Sequence, residues 1–228
     1  MDTISLKKNS PNYPSALKQH LGKDAPNSIT AIGNLDILSH NSTAFFCSTK
    51  CPGDLIVKTY DIAQILRHAG MTVISGFHSP MERECLTILL RGAQPVIICP
   101  AKSINNMRIN KEYKKPLKDG RLFFLSPFDK NQRRISAKSS HYRNLFVAAM
   151  SAAIFVIHAE PSSKTEELCR DILSWKKLIY TFESDYNKNL IKMGARPVNM
   201  DNVSGWANIL SAHNGKTKAK TKGSGLHS

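Results

Sequence analysis

Short apolar runs alternate with longer amphipathic segments through the middle of this sequence. Six runs are nearly continuous in β-branched, aromatic and other apolar residues, which is typical of strands covered on both faces of a sheet. The predicted strands are Thr43–Ser48, Met71–Ser75, Pro95–Cys99, Arg121–Leu125, Ala153–His158 and Leu178–Phe182.

Between these runs, apolar residues recur at the spacing of a helix that buries one face. The predicted helices are Asp54–Ala69, Pro80–Leu90, Arg143–Ser151, Lys164–Trp175 and Asn187–Met193. Strands that alternate with helices in this way form βαβ units. We therefore predict the α/β class, with a doubly wound, mostly parallel sheet and helices on both of its faces.

Two helix starts have explicit capping chemistry. Ser79 and Glu82 flank Pro80, and Ser163 and Glu166 repeat the same S-x-x-E spacing. A serine hydroxyl caps the first helical N–H groups, and proline is favoured at the first helical position. In a doubly wound sheet, ligands bind beside the loops that follow the strands, so those loops are the first candidates for a site.

The charge balance points to a polyanionic partner. The 228 residues contain 32 Lys and Arg against 17 Asp and Glu, which gives a net charge of +15. The final segment, 211–228, holds four lysines and no apolar periodicity, and we predict a flexible basic tail there. The rest of the chain still carries +11. Nucleic acid is favoured over a membrane surface, because no basic amphipathic helix is evident; a merely solvated basic surface is the alternative.

The sequence gives no sign of export or membrane insertion. Its five cysteines are an odd number, the N-terminal region is polar, and no apolar stretch reaches the length of a membrane span. We expect a cytoplasmic protein in a reducing compartment, with no membrane partner.

A basic segment before the predicted helix at Arg143 favours nucleic-acid binding. Cations, a histidine and a tyrosine are interleaved there, and single-stranded nucleic acid needs both charge for phosphates and flat surfaces for bases. The residues concerned are Lys130, Arg133, Arg134, Lys138, His141, Tyr142, Arg143 and Asn144. A solvated loop is the other interpretation. His78, in the glycine-containing turn after the second strand, is either a binding residue or a surface residue.

No catalytic constellation is evident. The glycine-rich nucleotide motifs G-x-G-x-x-G and G-x-x-x-x-G-K-[ST] are absent, as are G-x-S-x-G, H-E-x-x-H and a carboxylate pair at strand ends. Cys47 and Cys51 have no partner pair at zinc-ligand spacing. We therefore predict a protein that is not an enzyme and that uses neither a cofactor nor a metal.

The order of several short motifs resembles the DprA/Smf family of DNA-processing proteins over about Tyr13–Val198. The lead-in Tyr13–Leu17, with Pro26, Gly33-Asn34 and Leu38, is similar to the family's Y-P-x-x-L…P…G…L. The segments that are similar to later family motifs are Ala44–Lys50 (a strand ending in G-S-R), Val73–Phe77 (V-V-S-G-L), His141–Ser151 (R-R-N-R-I-I-A-G-L-S) and Asn189–Ala195 (N-x-L-I-x-x-G-A).

The resemblance implies an extended Rossmann-like core of the SLOG type that binds single-stranded DNA in a basic pocket. By position, Lys50 stands for the arginine of G-S-R, Ser75 and Gly76 for the S-G turn, and Arg143 with Asn144 for the R-N pair. With the other polar residues at strand ends, the predicted nucleic-acid-binding residues are Ser48, Lys50, Ser75, Gly76, His78, Lys102, Arg133, Arg134, Lys138, His141, Arg143, Asn144 and Lys164.

The resemblance also implies partners and a division of the chain. It predicts a homodimer, a role in DNA recombination and transformation, and an encounter with a RecA-type recombinase. We expect a lead-in segment over 1–40 that packs on the core, the core itself over 41–210, the tail over 211–228, and no C-terminal winged-helix domain. A SLOG-type sensor of a nucleotide or nucleotide-derived ligand, in a defence or mobile-element system, is the alternative function.

Overall fold

The structure, a computed structural model, describes residues 3–203 and 205. Within these residues nine strands form one sheet: β1 (Ile4–Lys7), β2 (Ser28–Ile32), β3 (Ser42–Cys47), β4 (Thr72–Ser75), β5 (Val96–Ile98), β6 (Leu122–Ser126), β7 (Ala153–His158), β8 (Ile179–Phe182) and β9 (Arg196–Val198). The α-helices of the same part of the chain are α1 (Ser15–Leu21), α2 (Gly53–His68), α3 (Pro80–Leu89), α4 (Lys111–Lys118), α5 (Ala137–Met150), α6 (Lys164–Ser174) and α7 (Lys188–Met193).

The sheet is doubly wound and mostly parallel, as predicted. Its strand order is β1-β2-β6-β5-β4-β3-β7-β8-β9, so the chain builds outward from β3 to β6 and then returns to place β7 on the other side of β3. Strands β3 to β9 are all parallel. Strand β2 pairs antiparallel with β6, and β1 pairs antiparallel with β2. The predicted α/β class and Rossmann-like sheet are confirmed.

Helices cover both faces of the sheet because alternate side chains of the buried strands point to opposite sides. On one face Leu55 of α2 and Leu86 of α3 pack with Phe45 and Val73 of the sheet. On the other face α1, α5 and α6 pack against the intervening strand residues, such as Ile74. The two cores therefore hold each strand from both sides, and this fixes the positions of the loops at the strand ends.

The six predicted strands are present as β3 to β8, and four of the five predicted helices begin within one residue of the expected position. The fifth, α5, begins at Ala137 rather than at Arg143, so this predicted start is wrong. Two serines form the cap: the Ser136 N–H donates to Ser139 Oγ at 2.9 Å, and the Ser139 N–H donates to Ser136 Oγ at 3.1 Å. Ser139 takes the place that Glu or Gln usually occupies in a capping box.

Five elements were not predicted: β1, α1, β2, α4 and β9. The first three lie within residues 1–40, where β2 joins the sheet directly and the Tyr13 hydroxyl donates to the Pro26 carbonyl at 2.7 Å. The division into 1–40 and 41–210 stays a prediction, and the predicted basic tail over 211–228 lies outside the described residues. In the described part of the chain, no helix is both long and apolar enough to cross a bilayer.

Candidate functional site

Strands β3 to β9 end at the same edge of the sheet, called the carboxyl edge here. The loops after β5 and β6, residues 99–110 and 127–136, carry five cations and one carboxylate: Lys102, Arg108, Lys130, Arg133, Arg134 and Asp129. The loops after β7 and β8, residues 159–163 and 183–187, carry no Lys or Arg and three carboxylates: Glu160, Glu183 and Asp185. Positive charge is thus concentrated at the β5–β6 part of the carboxyl edge.

The β5 and β6 loops enclose a pocket of about 730 Å³, called the rim pocket here. Its lining residues are Lys102, Ser103, Asn105, Asn106, Met107, Arg108, Lys130 and Arg133. Four are cations, two are amides, and none is a carboxylate. This combination of side chains suits an anionic ligand that also carries hydrogen-bond donors and acceptors.

Two hydrogen bonds, one between backbone groups and one from a serine side chain, hold the two loops of the rim pocket together. The Ser103 N–H donates to the Gln132 carbonyl at 2.7 Å, and the Ser126 hydroxyl donates to the Lys102 carbonyl at 2.9 Å. Ser126 is the last residue of β6, and its hydroxyl also accepts the Phe128 N–H at 3.2 Å. A serine at this strand end therefore fixes both its own loop and the neighbouring one.

Arg143 lies inside the protein and is only 4% exposed. Its Nη1 donates to the Cys99 carbonyl at 2.9 Å, and its Nε donates to Asn144 Oδ1 at 2.7 Å. Burial lowers the pKa of this guanidinium. Arg143 supports the loop after β5 from below, and a direct contact between its side chain and a nucleic acid stays a prediction.

Gly76 makes room for Arg143. A Cβ at Gly76 would lie 1.4 Å from Arg143 Nη1, so the guanidinium occupies the space that any side chain at residue 76 would need. The next residue, Phe77, is buried with a φ of 47°, and its N–H donates to Ser75 Oγ at 3.3 Å. The S-G turn is therefore a compact support for Arg143, with a strained residue directly after it.

Glu82 joins the loops that follow β3 and β4. Its carboxylate is buried and accepts the Cys47 N–H at 3.0 Å and the His78 N–H at 2.9 Å. The Ser75 hydroxyl lies 3.4 Å from the same carboxylate. The Ser79 hydroxyl caps the Glu82 N–H at 3.3 Å, as predicted for this helix start. In addition to its place in the helix cap, Glu82 thus holds two strand ends together.

Ser48 and its neighbours occupy the point where the strand order reverses, between β3 and β7. The buried Ser48 hydroxyl accepts the Glu160 N–H at 3.1 Å and lies 3.5 Å from Ser163 Oγ. At the adjacent start of α6, Lys164 Nζ contacts Glu167 Oε2 at 2.6 Å. Ser48 therefore joins the β3 and β7 loops, and Lys164 has a carboxylate partner already.

The remaining predicted residues do not line the rim pocket. Lys50, His78, Arg134 and Lys138 have exposed side chains. His141 is half-buried, and its Nε2 lies 3.7 Å from the carboxylate of Asp171 on α6.

The structure brings Lys102 and Arg133 together in the rim pocket, and Ser75, Gly76, Arg143 and Asn144 together in the support beneath it. Sequence reasoning missed Arg108, Asn105 and Asn106, which complete the pocket lining. The signal was present in residues 102–110, a mostly polar stretch that begins shortly after the predicted strand Pro95–Cys99. Within residues 3–203 and 205, no three His, Cys, Asp or Glu side chains are grouped so as to hold a metal ion.

A model of a known protein family matches nearly all of the described chain. The family model described as DNA recombination-mediator protein A matches residues 5–206. No curated protein matches the sequence.

Solved structures share the fold. DNA processing protein A (DprA) from Streptococcus pneumoniae superposes with a TM-score of 0.74 at 18% identity, covering 91% of this chain and 74% of that one. DNA processing protein A from Helicobacter pylori, described for its single-stranded DNA binding mode, gives a TM-score of 0.74 at 18% identity, covering 93% and 97% of the two chains. The molybdenum cofactor carrier protein of Chlamydomonas reinhardtii is more distant, with a TM-score of 0.52 at 11% identity over 75% of this chain and 99% of that one.

Proposed function

Because this chain belongs to the DNA recombination-mediator protein A family, we propose that it binds single-stranded DNA at the rim pocket without catalysing a reaction. Its role in DNA processing is that of a recombination mediator. The relative from Helicobacter pylori, with the same fold, is described for its binding of single-stranded DNA, which supports this ligand.

The observation that carries the proposal is the charge of the rim pocket. Lys102, Arg108, Lys130 and Arg133 line it, and none of the four forms an ion pair within the described residues. Four unpaired cations around one concavity repel one another, and phosphate groups would relieve that repulsion while releasing counterions from the DNA.

The shape of the pocket favours an unpaired strand. A volume of about 730 Å³ admits one or two nucleotides but not a rigid duplex. The side-chain amides of Asn105 and Asn106 offer both donors and acceptors, which match the edges of unpaired bases. Phosphate contacts and base contacts can therefore form in the same pocket.

The test is the salt dependence of oligonucleotide binding by the full chain with Lys102→Ala and Arg133→Ala combined. Each phosphate neutralised on a single strand contributes about −0.7 to the slope of log affinity against log salt, so the double variant should lower the magnitude of the slope by about 1.4. Affinity for single-stranded oligonucleotides should fall at every salt concentration.

The matched control is Lys176→Ala combined with Lys192→Ala. Both side chains are exposed, and both lie just before a strand, at the edge of the sheet opposite to the rim pocket. The control removes the same total charge and retains all tail lysines. Equal slopes for the two double variants would refute the proposal, because binding would then follow net charge alone.

The alternative function, a SLOG-type nucleotide sensor, is kept because the pocket volume lies within the range of about 300 to 1,000 Å³ for small-molecule sites. A mononucleotide or cyclic oligonucleotide at 100 times its Kd would stabilise the fold by about 2.7 kcal/mol. No thermal shift with any of these ligands would remove the alternative.

The finer predictions on partners and pathway rest on the family alone, and the predicted location rests on the cysteines and the polar N-terminal region. A homodimer, a RecA-type recombinase as partner, a role in transformation and a cytoplasmic location all stay predictions. Sedimentation of the purified chain with and without a RecA-type recombinase would test the first two.

A further inference from the structure

Two further pockets extend from the rim pocket, one after the other. A pocket of about 460 Å³ at the start of α4 shares Arg108 with the rim pocket. A third pocket of about 470 Å³ lies between α3 and α4 and shares Glu112 with the second. The three pockets follow one another from the carboxyl edge down one face of the sheet. The second and third together are called the α3–α4 groove here.

The α3–α4 groove is strongly basic. Apart from Arg108, its lining includes six cations: Arg83, Arg91, Lys111, Lys114, Lys115 and Arg121. Glu112 is the one carboxylate that lines either of these two pockets. Within the described residues, Lys115 and Arg121 share Asp119 as an ion-pair partner, and the other four cations have none. The excess of positive charge in the rim pocket therefore continues along the groove.

The groove also offers a flat apolar surface. Tyr113 lines it, and the Tyr113 ring packs edge-on against Phe124 of β6 with centroids 5.8 Å apart. Leu86, Leu90 and Pro116 form the apolar part of the same lining. An aromatic ring held against the core between cations is what a nucleic-acid base needs for stacking while its phosphates meet charge.

We propose that the α3–α4 groove is a second subsite for single-stranded DNA, occupied by the part of the strand that leaves the rim pocket. This inference rests on the proposed function. Helix α4 has eight residues and is about 12 Å long at 1.5 Å per residue. That length accommodates about three further nucleotides at a spacing of about 3.4 Å or slightly more. The continuous basic lining and the aromatic ring favour a nucleic-acid strand over an acidic peptide.

The experiment compares a short oligothymidine of about 2 nucleotides, which the rim pocket holds alone, with a long one of about 15, within the range of about 4 to 16 nucleotides that single-stranded-DNA sites occupy. The variants are Arg91→Ala combined with Lys114→Ala, and Tyr113→Leu alone. Arg91 and Lys114 have exposed side chains, and Tyr113→Leu keeps an apolar side chain against Phe124, so we expect all of these variants to fold.

The charge variant should lower the magnitude of the long-oligonucleotide salt slope by about 1.4, and Tyr113→Leu should weaken long-oligonucleotide binding by about tenfold. Neither variant should change binding of the short oligonucleotide. The control, Lys176→Ala with Lys192→Ala, should leave the salt slope for both lengths as in the unmodified chain.

Failure of this inference is distinguishable from failure of the proposed function. If the unmodified chain binds both lengths but the variants bind the long one normally, the groove is not a subsite and the rim pocket stands. If the unmodified chain binds neither length, both proposals fall. If a polyglutamate peptide loses affinity in the variants as strongly as DNA does, the groove is a general site for acidic segments and the inference is overturned.

Discussion

Glu82→Gln should destabilise the fold although it changes little of the side-chain shape. In the unmodified chain one carboxylate oxygen accepts the Cys47 N–H at 3.0 Å and the other accepts the His78 N–H at 2.9 Å. A glutamine has one acceptor oxygen, so its NH₂ group must face one of these two N–H donors. The buried Arg143 guanidinium would also lose the negative charge of Glu82, which favours its protonated form.

The magnitude follows from the hydrogen bonds. An unsatisfied buried donor costs about 1 to 3 kcal/mol, and replacing a charged acceptor by a neutral one costs about 1 kcal/mol for the bond that remains. The sum is about 3 kcal/mol. With a urea dependence of about 2 kcal/mol per M, the midpoint of urea unfolding should fall by about 1.5 M.

Glu84→Gln is the matched control for this measurement, because Glu84 is an exposed residue of the same helix. It should shift the urea midpoint by less than about 0.3 M, since exposed charges contribute little to stability. If Glu82→Gln also shifts the urea midpoint by less than about 0.3 M, Glu82 does not hold the β3 and β4 loops together and the reasoning is refuted.

Two further substitutions test other parts of the structure. Gly33→Ala should lower the free energy of unfolding in urea by at least about 1 kcal/mol, since residue 33 has a φ of +117° and a Cβ there would lie 2.8 Å from the Leu122 carbonyl oxygen. Gly53→Ala is the control, because the space around its Cβ position is open. An equal effect of the two substitutions would contradict the argument. Glu166→Gln tests pH dependence. The side-chain hydrogen bond from Asn189, with the Ser162 N–H and Arg170, holds the pKa of Glu166 below its usual value of about 4.5. This carboxylate therefore contributes stability above about pH 4.5 that is lost as the pH falls through its folded-state pKa. The stability difference between the unmodified chain and Glu166→Gln should shrink under acid conditions, and a constant difference from pH 7 to pH 3 would show that Glu166 is not responsible.

The parallel core could be predicted from the sequence because its strands are buried on both faces. Strands such as β7, Ala153–His158, are short and continuous apolar runs, which are typical of a strand buried on both faces. Of the five elements that the sequence did not predict, β2 buries four of its five residues, whereas α4, β1 and β9 bury little. Helix α4 buries only Pro116 and Leu117, and it contains a proline. Strand β1 buries one residue, Leu6, and β9 buries one, Val198. The positions of α4, β1 and β9 are fixed by the elements that they contact rather than by their own pattern of apolar residues.

The candidate site could be predicted only in part, for a similar reason. Lys102 was identified because it follows a predicted strand and Arg133 because it lies in the basic segment before a helix, but the pocket that unites them depends on β5 lying beside β6. Strand order is a property of the assembled sheet, and no single segment of the sequence predicts it. The burial of Arg143 likewise depends on Gly76, which comes from another βαβ unit of the chain.

The separation of charge along the carboxyl edge also has a kinetic consequence. Cations follow β5 and β6, while carboxylates follow β7 and β8, so this edge has a dipole that lies across the sheet. A polyanion that approaches by diffusion would be turned toward one end of that dipole before any contact forms. Encounter rates should therefore exceed those of an unguided collision at low ionic strength and fall steeply as salt is added.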